Sequence, residues 1–396
     1  MTCPDCDCAA AYHSNRKRHV VSVLGTLHFP RAYYYCRRCG QGSAPFDEQA
    51  GFTARQLTPG TERLATLAGG VCESFERGAE TLKEMAGIRL SESTVERTTE
   101  DTGQRLAKMF EKEQTVGPVV QWKWHLDASG QKVAYITIDA TGTRQQGPGG
   151  KVAEGRMAYV AGVYNPTPVD WLLSPDKKPP EMQARYIAGI YSLEQMGLLL
   201  RRHAARVGME DAKVWVALTD GGNGLEDFCQ KNFNRPDLVL ILDFYHAASY
   251  LDALAKTLFP QEQEKAKEQA EQWCRLLKQE GGTTTLAVLE NTELPARKSA
   301  ALKEQLETTC RYFTNNLHRM DYPEYLAEGW QIGSGVVESA CKTVVGQRLK
   351  GAGMRWSVAG SHALCHVRAL YRSEKGQWDA FWERRFTKGM PVQQQK

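Results

Sequence analysis

Short apolar runs that end on an aspartate dominate the middle of the chain. Lys132 to Asp139 (KVAYITID), Val214 to Leu218 and Leu238 to Leu242 are β-branched or leucine-rich, and they lead into Asp139, Asp220 and Asp243. Runs of this length bounded by Gly- and Asp-containing turns predict strands. A helix-compatible stretch from Leu225 separates the last two, the grammar of parallel strands with a crossover helix, whose functional atoms gather at the strands' carboxyl ends. Between the first two runs, Arg156 to Tyr164 (RMAYVAGVY) and Val169 to Leu173 predict two more strands of an antiparallel meander. Ser192 to Val207 then places Leu193, Met196, Leu199, Leu200, His203 and Val207 on one helical face.

The resulting order, three strands, helix, strand, helix, strand, is an α/β arrangement and the order of the ribonuclease-H-like fold. That fold is expected to close with a helix carrying a final carboxylate. Here the closing helix is delayed. Tyr250 to Phe259, Gln261 to Gln279 and Ala296 to Leu317 carry amphipathic helical patterns, read as an inserted helical subdomain because a structureless loop of such length is improbable in a compact domain. Gly333-Ser334-Gly335-Val336-Val337-Glu338 then starts a basic helix with a carboxylate in its first turn, and Trp378, Phe381 and Trp382 read as core aromatics.

Upstream, Leu57 to about Glu113 is helical, with Leu64, Leu67, Ala68 and Val71 on one stripe and Leu82, Met85 and Ala86 on another. The segment Gly87-Ile88-Arg89-Leu90-Ser91 separates two helices, Ser91 is an N-cap, and Thr94 and Arg97 lie on the second helix. This resembles a helix-turn-helix, whose second helix can enter a major groove. Two packed helices with a glycine turn are also common in proteins that never meet DNA, and Glu92, Glu96, Glu100 and Asp101 make the second helix acidic for a DNA reader; the DNA reading is taken as the working expectation. Residues 114 to 131 read as a linker. The domain reading is therefore a zinc-ribbon-like module (1–50), a helical helix-turn-helix-like DNA-binding region (51–120), a ribonuclease-H-like catalytic part (121–247), a helical insertion (248–330) and a Glu-bearing helix with basic C-terminal helices (331–396).

Composition narrows the class. A chain of 396 residues with 42% hydrophobic content can bury a substantial core in two or three domains. The net charge of +4 does not announce a nucleic-acid partner, but its distribution does more. From Lys342 to Lys396 the basic residues, Lys342, Arg348, Lys350, Arg355, Arg368, Arg372, Lys375, Arg384, Arg385 and Lys388, far outnumber the acids, which suits a phosphate-facing surface as well as a solvated helix face. No export signal precedes the first cysteines and no apolar run approaches a membrane span, so a soluble, cytoplasmic and nucleoid-associated protein is expected. Eleven cysteines then argue for metal or free thiols rather than disulfides.

Four of those thiols form two knuckles, Cys3-Pro4-Asp5-Cys6 and Cys36-Arg37-Arg38-Cys39, separated by a Val- and Tyr-rich hairpin sequence. That spacing predicts structural zinc, with Cys8, His13 and His19 near enough to replace a ligand. Such a staple serves a small module whether or not it meets DNA. The basic residues Arg16, Lys17, Arg18, Arg31, Arg37 and Arg38 favour DNA.

Asp139, Asp220 and Glu338 are the residue types that hold magnesium or manganese for phosphodiester chemistry. Two such ions stabilise the attacking oxygen and the leaving group, and they prefer hard carboxylate oxygens. A strand-end Asp is also a common N-cap, and Asp220-Gly221-Gly222-Asn223-Gly224 could be a phosphate loop. Its glycines follow the aspartate, however, and precede no Lys-Ser/Thr. His246, three residues after Asp243, can orient phosphate, protonate a leaving oxygen or bond a core backbone group. Lys342, four residues beyond Glu338, is a candidate phosphate contact, as are Arg348, Lys350 and Arg355.

Asp139 in TIDATG, Asp220 in LTDGGNG, LDFYHA at 242–247, GSGVVES at 333–339 followed by Cys341-Lys342, and RLKGAGMRWS at 348–357 resemble insertion-sequence DDE transposases of the ISKra group, distantly related to Mutator-like transposases with their D/C-x-x-H motif. The likeness spans nearly the whole chain, including the cysteine knuckles. It implies Asp139, Asp220 and Glu338 as catalytic triad and Asp243 with His246 as accessory motif. It further implies recognition of terminal inverted repeats in double-stranded DNA, cleavage at element ends, and strand transfer from a 3′-hydroxyl into target DNA by a homo-oligomer. Many members of the group carry more sequence before the first knuckle. The alternatives are a domesticated, non-catalytic DNA-binding protein and a ribonuclease-H-like nuclease without strand transfer.

Overall fold

The computed structural model describes residues 1–52, 55–166, 182–222, 224–292 and 300–387, with side chains as far as Glu383. In chain order the elements begin with strands β1 (Ala11–Ser22), β2 (Gly25–Tyr35) and β3 (Gly42–Ser43) and helices α1 (Pro45–Gln49), α2 (Pro59–Val71), α3 (Phe75–Ala86) and α4 (Glu92–Glu111). The central elements are β4 (His125–Leu126), β5 (Lys132–Gln146), β6 (Val152–Asn165), β7 (Gln183–Gly189), α5 (Leu193–Arg206), β8 (Val214–Thr219), α6 (Leu225–Asn232) and β9 (Leu238–Leu242). The remainder is helical: α7 (Phe244–Leu258), α8 (Gln263–Glu290), α9 (Ala300–Asn316), α10 (Tyr322–Ala327), α11 (Gly335–Ala340), α12 (Val358–Arg372) and α13 (Gln377–Thr387). Two compact units emerge: one of Met1–Pro118, Thr143–Arg156 and Val344–Lys396, the other of Val119–Gly142 and Met157–Thr343.

The second unit is built on a mixed sheet of order β7-β6-β5-β8-β9, with β4 pairing the start of β5. β6 and β7 are antiparallel, whereas β5–β8 and β8–β9 are parallel. Residues 133–138 of β5 are buried without interruption, the burial expected of a parallel strand covered on both faces. The helices between Asp243 and Glu338 are not a separate body. Trp273 and Leu277 of α8 and Phe313 of α9 share one apolar core with Val216, Leu218 and Leu242 of the sheet. The hydroxyl of Tyr322 adds a hydrogen bond to the Leu242 carbonyl at 3.0 Å.

Several sequence expectations change here. The third strand is β7, Gln183–Gly189, and the segment 169–173 expected to form it lies outside the described residues. The expected linker 114–131 is in part core: Trp122 and Trp124 are 4% and 5% exposed, and the Trp124 indole donates to the Gly208 carbonyl at 2.9 Å. Helix α8 runs on past Gln279, interrupted at Gly281, which adopts φ 79° as the chain passes close to the Met320 carbonyl.

In the first unit, β1 and β2 form the expected antiparallel hairpin between the cysteine knuckles. Gly87 turns left-handed at φ 65° after α3, and Ser91 caps α4 by accepting from the Thr94 N–H at 3.2 Å, so two helices joined by this turn are present. Helices α4 and α12 pack most closely at Gly103, where an added Cβ would lie 2.1 Å from the Ala363 carbonyl oxygen. Because the obstacle is backbone, Gly103→Ala should cost about 1–3 kcal/mol by overpacking. A clear fall in urea midpoint is expected, and an unchanged midpoint would show that the two helices separate freely.

Candidate functional site

Strand register brings the aspartates to one level. Thr137 of β5 pairs with Leu218 of β8, and Thr219 pairs with Leu242 of β9, so Asp139 falls beside Asp220 and Asp220 beside Asp243. Burial pushes the Asp139 carboxyl above the ordinary Asp range. The Ala140 N–H, at 2.6 Å, and the Cys341 thiol donate hydrogen bonds that oppose the rise, the charge of Asp220 adds to it, and His246 opposes it. Asp139, Asp220, His246 and Cys341 therefore form one electrostatic neighbourhood.

Asp243 has a different task. Only 5% exposed, it caps α7 by accepting from the N–H groups of Tyr245 at 2.7 Å and His246 at 3.3 Å. Its other oxygen accepts from the Ser334 N–H at 3.2 Å and from the Ser334 hydroxyl. The Phe244 N–H reaches the Ile332 carbonyl at 2.8 Å, tying the same two segments again. Gly333 lies against the Tyr245 ring, where an added Cβ would sit 2.5 Å from a ring carbon. The start of α11 is thus fixed by the end of β9. Asp243 is a positioning residue.

Glu338 stands one turn before Cys341, on the side of the helix whose thiol touches Asp139, and its side chain is exposed. Asp139, Asp220 and Glu338 do not close into a set: among the described residues only four cysteines bring three or more metal-ligating atoms within 4.8 Å of one another. The donor chemistry still suits a hard cation in part. Two adjacent carboxylates, one raised by burial and further by its neighbour's charge, are an arrangement that a divalent ion relieves, and Asp139 and Asp220 could hold one.

A cavity of about 570 Å³ opens beside Asp220, lined by Gly221, His246, Tyr250, Arg311 and Tyr312 among others. Tyr250 and Tyr312 stack at 3.9 Å, and the His246 ring lies 5.9 Å from Tyr312. Gly221 fits beneath Tyr312, where a Cβ would come within 2.5 Å of the ring. Arg319, 3% exposed, closes the floor through Thr219 at 3.3 Å, Glu226 at 3.5 Å and Asn316. Sequence reasoning missed the α9 contribution because Tyr312 sits between Cys310 and Phe313 in a pattern that reads as helix core.

In the first unit the knuckles close. Sulfur–sulfur separations are 3.5 Å for Cys3–Cys39 and 3.6 Å for Cys6–Cys36, near the roughly 3.8 Å edge of a tetrahedron with Zn–S bonds of about 2.3 Å. The Cys39 N–H leads the contacts that lower Cys36 to about 7, whereas Cys39, despite an N–H from Gln41, is pushed up to about 12 by burial and its thiol neighbours. Successive deprotonations of one sulfur cluster resist each other unless a cation joins them. Cys8 instead donates to the Cys6 carbonyl at 3.3 Å and accepts from Arg38, and it stands outside the group of four.

The basic candidates divide. Arg97, Lys342, Lys350 and Arg355 are exposed. Arg348 is not a phosphate contact: 2% exposed, its guanidinium lies 4.4 Å from the Phe75 ring centre and 4.9 Å from that of Trp356, and it donates to the Gly69 carbonyl at 3.2 Å. Burial lowers it to about 10. Arg368 is likewise buried, donating to the carbonyls of Val344 and Gly70. Both cations stabilise packing, by cation–π or carbonyl contacts, rather than facing a ligand.

No helix among the described residues is long and apolar enough to cross a membrane. No family model matches the chain, and no curated protein matches it.

Three outcomes are expected. Purified protein should carry one zinc per chain, lost with Cys36→Ser as measured by a chromogenic chelator; zinc retained by that variant would rule out the four-sulfur site. Asp243→Ala should cost about 2 kcal/mol or more in chemical denaturation, because it strips a helix cap and leaves buried N–H groups unpaired; loss no greater than for a surface Asp would refute the tie. Asp139 favours its protonated form in the fold, so its contribution is fully present below the ordinary carboxylate range and is lost as pH rises through the raised value. Asp139→Asn should therefore raise the melting temperature at pH 7 without divalent ions, by an amount that shrinks on acidification. A variant less stable than wild type at pH 7 would contradict this.

Proposed function

We propose that the chain is a DDE-type DNA strand transferase, a metal-dependent enzyme that cuts at the ends of a DNA element and joins the freed 3′-hydroxyl to target DNA. The observation that carries this reading is that the register of adjoining parallel strands brings Asp139 and Asp220 to one level, with Cys341, just past the Glu338 helix, hydrogen-bonded to Asp139. The sheet order and the strand–helix succession support a ribonuclease-H-like catalytic fold, and the resemblance to ISKra-group transposases points the same way.

On this reading Asp139, Asp220 and Glu338 hold magnesium or manganese, which would stabilise charge on the attacking and leaving oxygens. Glu338, on the helix that Cys341 ties to Asp139, would be the third ligand. His246, beside Asp220 in the cavity, offers a ring N–H to a phosphate oxygen. Lys342, exposed one turn past Glu338, neutralises the strand entering the site. The four-cysteine hairpin and the α3–α4 pair, with Arg97 exposed on α4, are assigned to element-end binding, and Lys350 and Arg355 to the DNA backbone.

A second reading, DNA binding without chemistry, is favoured by the exposure of Glu338. Labelled element ends, target plasmid and magnesium separate the two. Joined product from wild type, lost by at least about a hundredfold in Asp139→Asn, Asp220→Asn and Glu338→Gln with DNA binding retained, is expected from the size of catalytic metal and electrostatic contributions. Cleavage without joining would assign a nuclease, and binding alone would assign the non-catalytic protein.

A further inference from the structure

The helices between Asp243 and Glu338 do more than fill the chain. Helix α9 lines the cavity beside Asp220 with Thr308, Arg311, Tyr312, Asn315 and Asn316, opposite Gly221 and Gly222. Arg311 and Asn315 are exposed, four residues apart and so on one helix face, and neither has a hydrogen-bond or ion-pair partner among the described residues. Of the other charges at this rim, Arg319 pairs with Glu226, Glu226 also with His318 at 2.7 Å, and Asp227 stands exposed. The Tyr312 hydroxyl is buried and has no hydrogen-bond partner among the described residues. Its ring, backed by Tyr250, forms an aromatic wall.

We infer that this cavity seats one nucleotide of a DNA strand, its phosphate on Arg311 and Asn315 and its base against the Tyr312 wall. The inference rests on the DNA reading above and deepens it. A guanidinium and an amide spaced one turn apart match two oxygens of one phosphate, and charge-assisted contacts of this kind are the strong ones. Aromatic side chains hold bases by stacking with little sequence preference. At about 570 Å³ the space lies in the range of organic ligand sites and exceeds what an ion with its waters requires. Polarity sets the orientation: the carboxylate of Asp220 repels a bare phosphate, so the nucleotide's phosphate lies at the α9 side and the reacting phosphate, with its cations, at the Asp220 side. The insertion then measures the distance from the cut to the neighbouring phosphate.

The test uses the full chain with zinc in place and a short single strand, about a dozen nucleotides to exceed one seat, carrying 2-aminopurine and titrated by fluorescence, with deoxyadenosine monophosphate as competitor. Arg311→Ala should bind the strand about tenfold more weakly, the loss expected for one charge-assisted contact. Arg311→Lys should recover part of it, and Tyr312→Leu, which removes the ring, should alter the 2-aminopurine signal with the fold intact by circular dichroism. Wild-type affinity and an unaltered signal in all three variants would overturn the inference. So would displacement of the strand by the mononucleotide at equal concentration, which would mark a free-nucleotide site. The DNA joining assay keeps the two ideas apart: if wild type joins ends and Arg311→Ala joins them equally well, the seat is wrong and the transferase stands, whereas failure of wild type to join removes the transferase itself.

Discussion

A buried carboxylate at the end of β9 sets the geometry on which the candidate site depends. Asp243 accepts from four donors, two at the start of α7 and two from Ser334 at the entrance to α11. A desolvated carboxylate survives in an apolar core only when its lone pairs are met, and here meeting them forces segments ninety-one positions apart in sequence into one corner. The helix that bears Glu338 is thereby delivered to the sheet, and Cys341 completes the approach by donating to Asp139. Without the tie, nothing local in Gly333-Ser334-Gly335 would hold that helix start.

The same corner shows why the chain can interrupt its sheet with a long run of helices. Tyr322, Phe313 and Trp273 fuse the helices to the strands' core, and Arg319 stitches α9 back to β8 through Thr219. Helix α9 is then a wall of the cavity rather than an appendage. In the first unit the cysteine knuckles supply for a small hairpin what the apolar core supplies for the sheet, and the buried Arg348 and Arg368 knit its helices through backbone carbonyls.

Much of this is legible in the residues. Val214 to Leu218 and Leu238 to Leu242 are short, unbroken and apolar, so they could be little else than buried parallel strands, and two C-x2-C knuckles flanking a β-rich segment have few uses besides metal. The failures have physical causes. Gln183 to Gly189 shows neither a clean alternation nor an unbroken apolar run, so its strand escapes a reading by periodicity, and Val169 to Leu173 lies outside the described residues. The charge of Arg348 suggests a phosphate contact, but its guanidinium lies against both the Phe75 and Trp356 rings and is energetically an aromatic neighbour, and no local pattern reveals contacts assembled from positions so far apart in sequence. Gly281-Gly282 reads as a helix end, yet the chain uses it to pass Met320 and resume. The role of Asp243 stays hidden because its partner Ser334 is remote in sequence.

Asp139, Asp220 and Glu338 are proposed to share a divalent ion although Glu338 is exposed in the present arrangement. Manganese soaked into crystals of the protein bound to element-end DNA, located by its anomalous scattering, tests this directly. A peak coordinated by Asp139 and Asp220 with a Glu338 oxygen at about 2.2 Å is expected for such an ion. A peak held without Glu338, or none between the two aspartates, would contradict it.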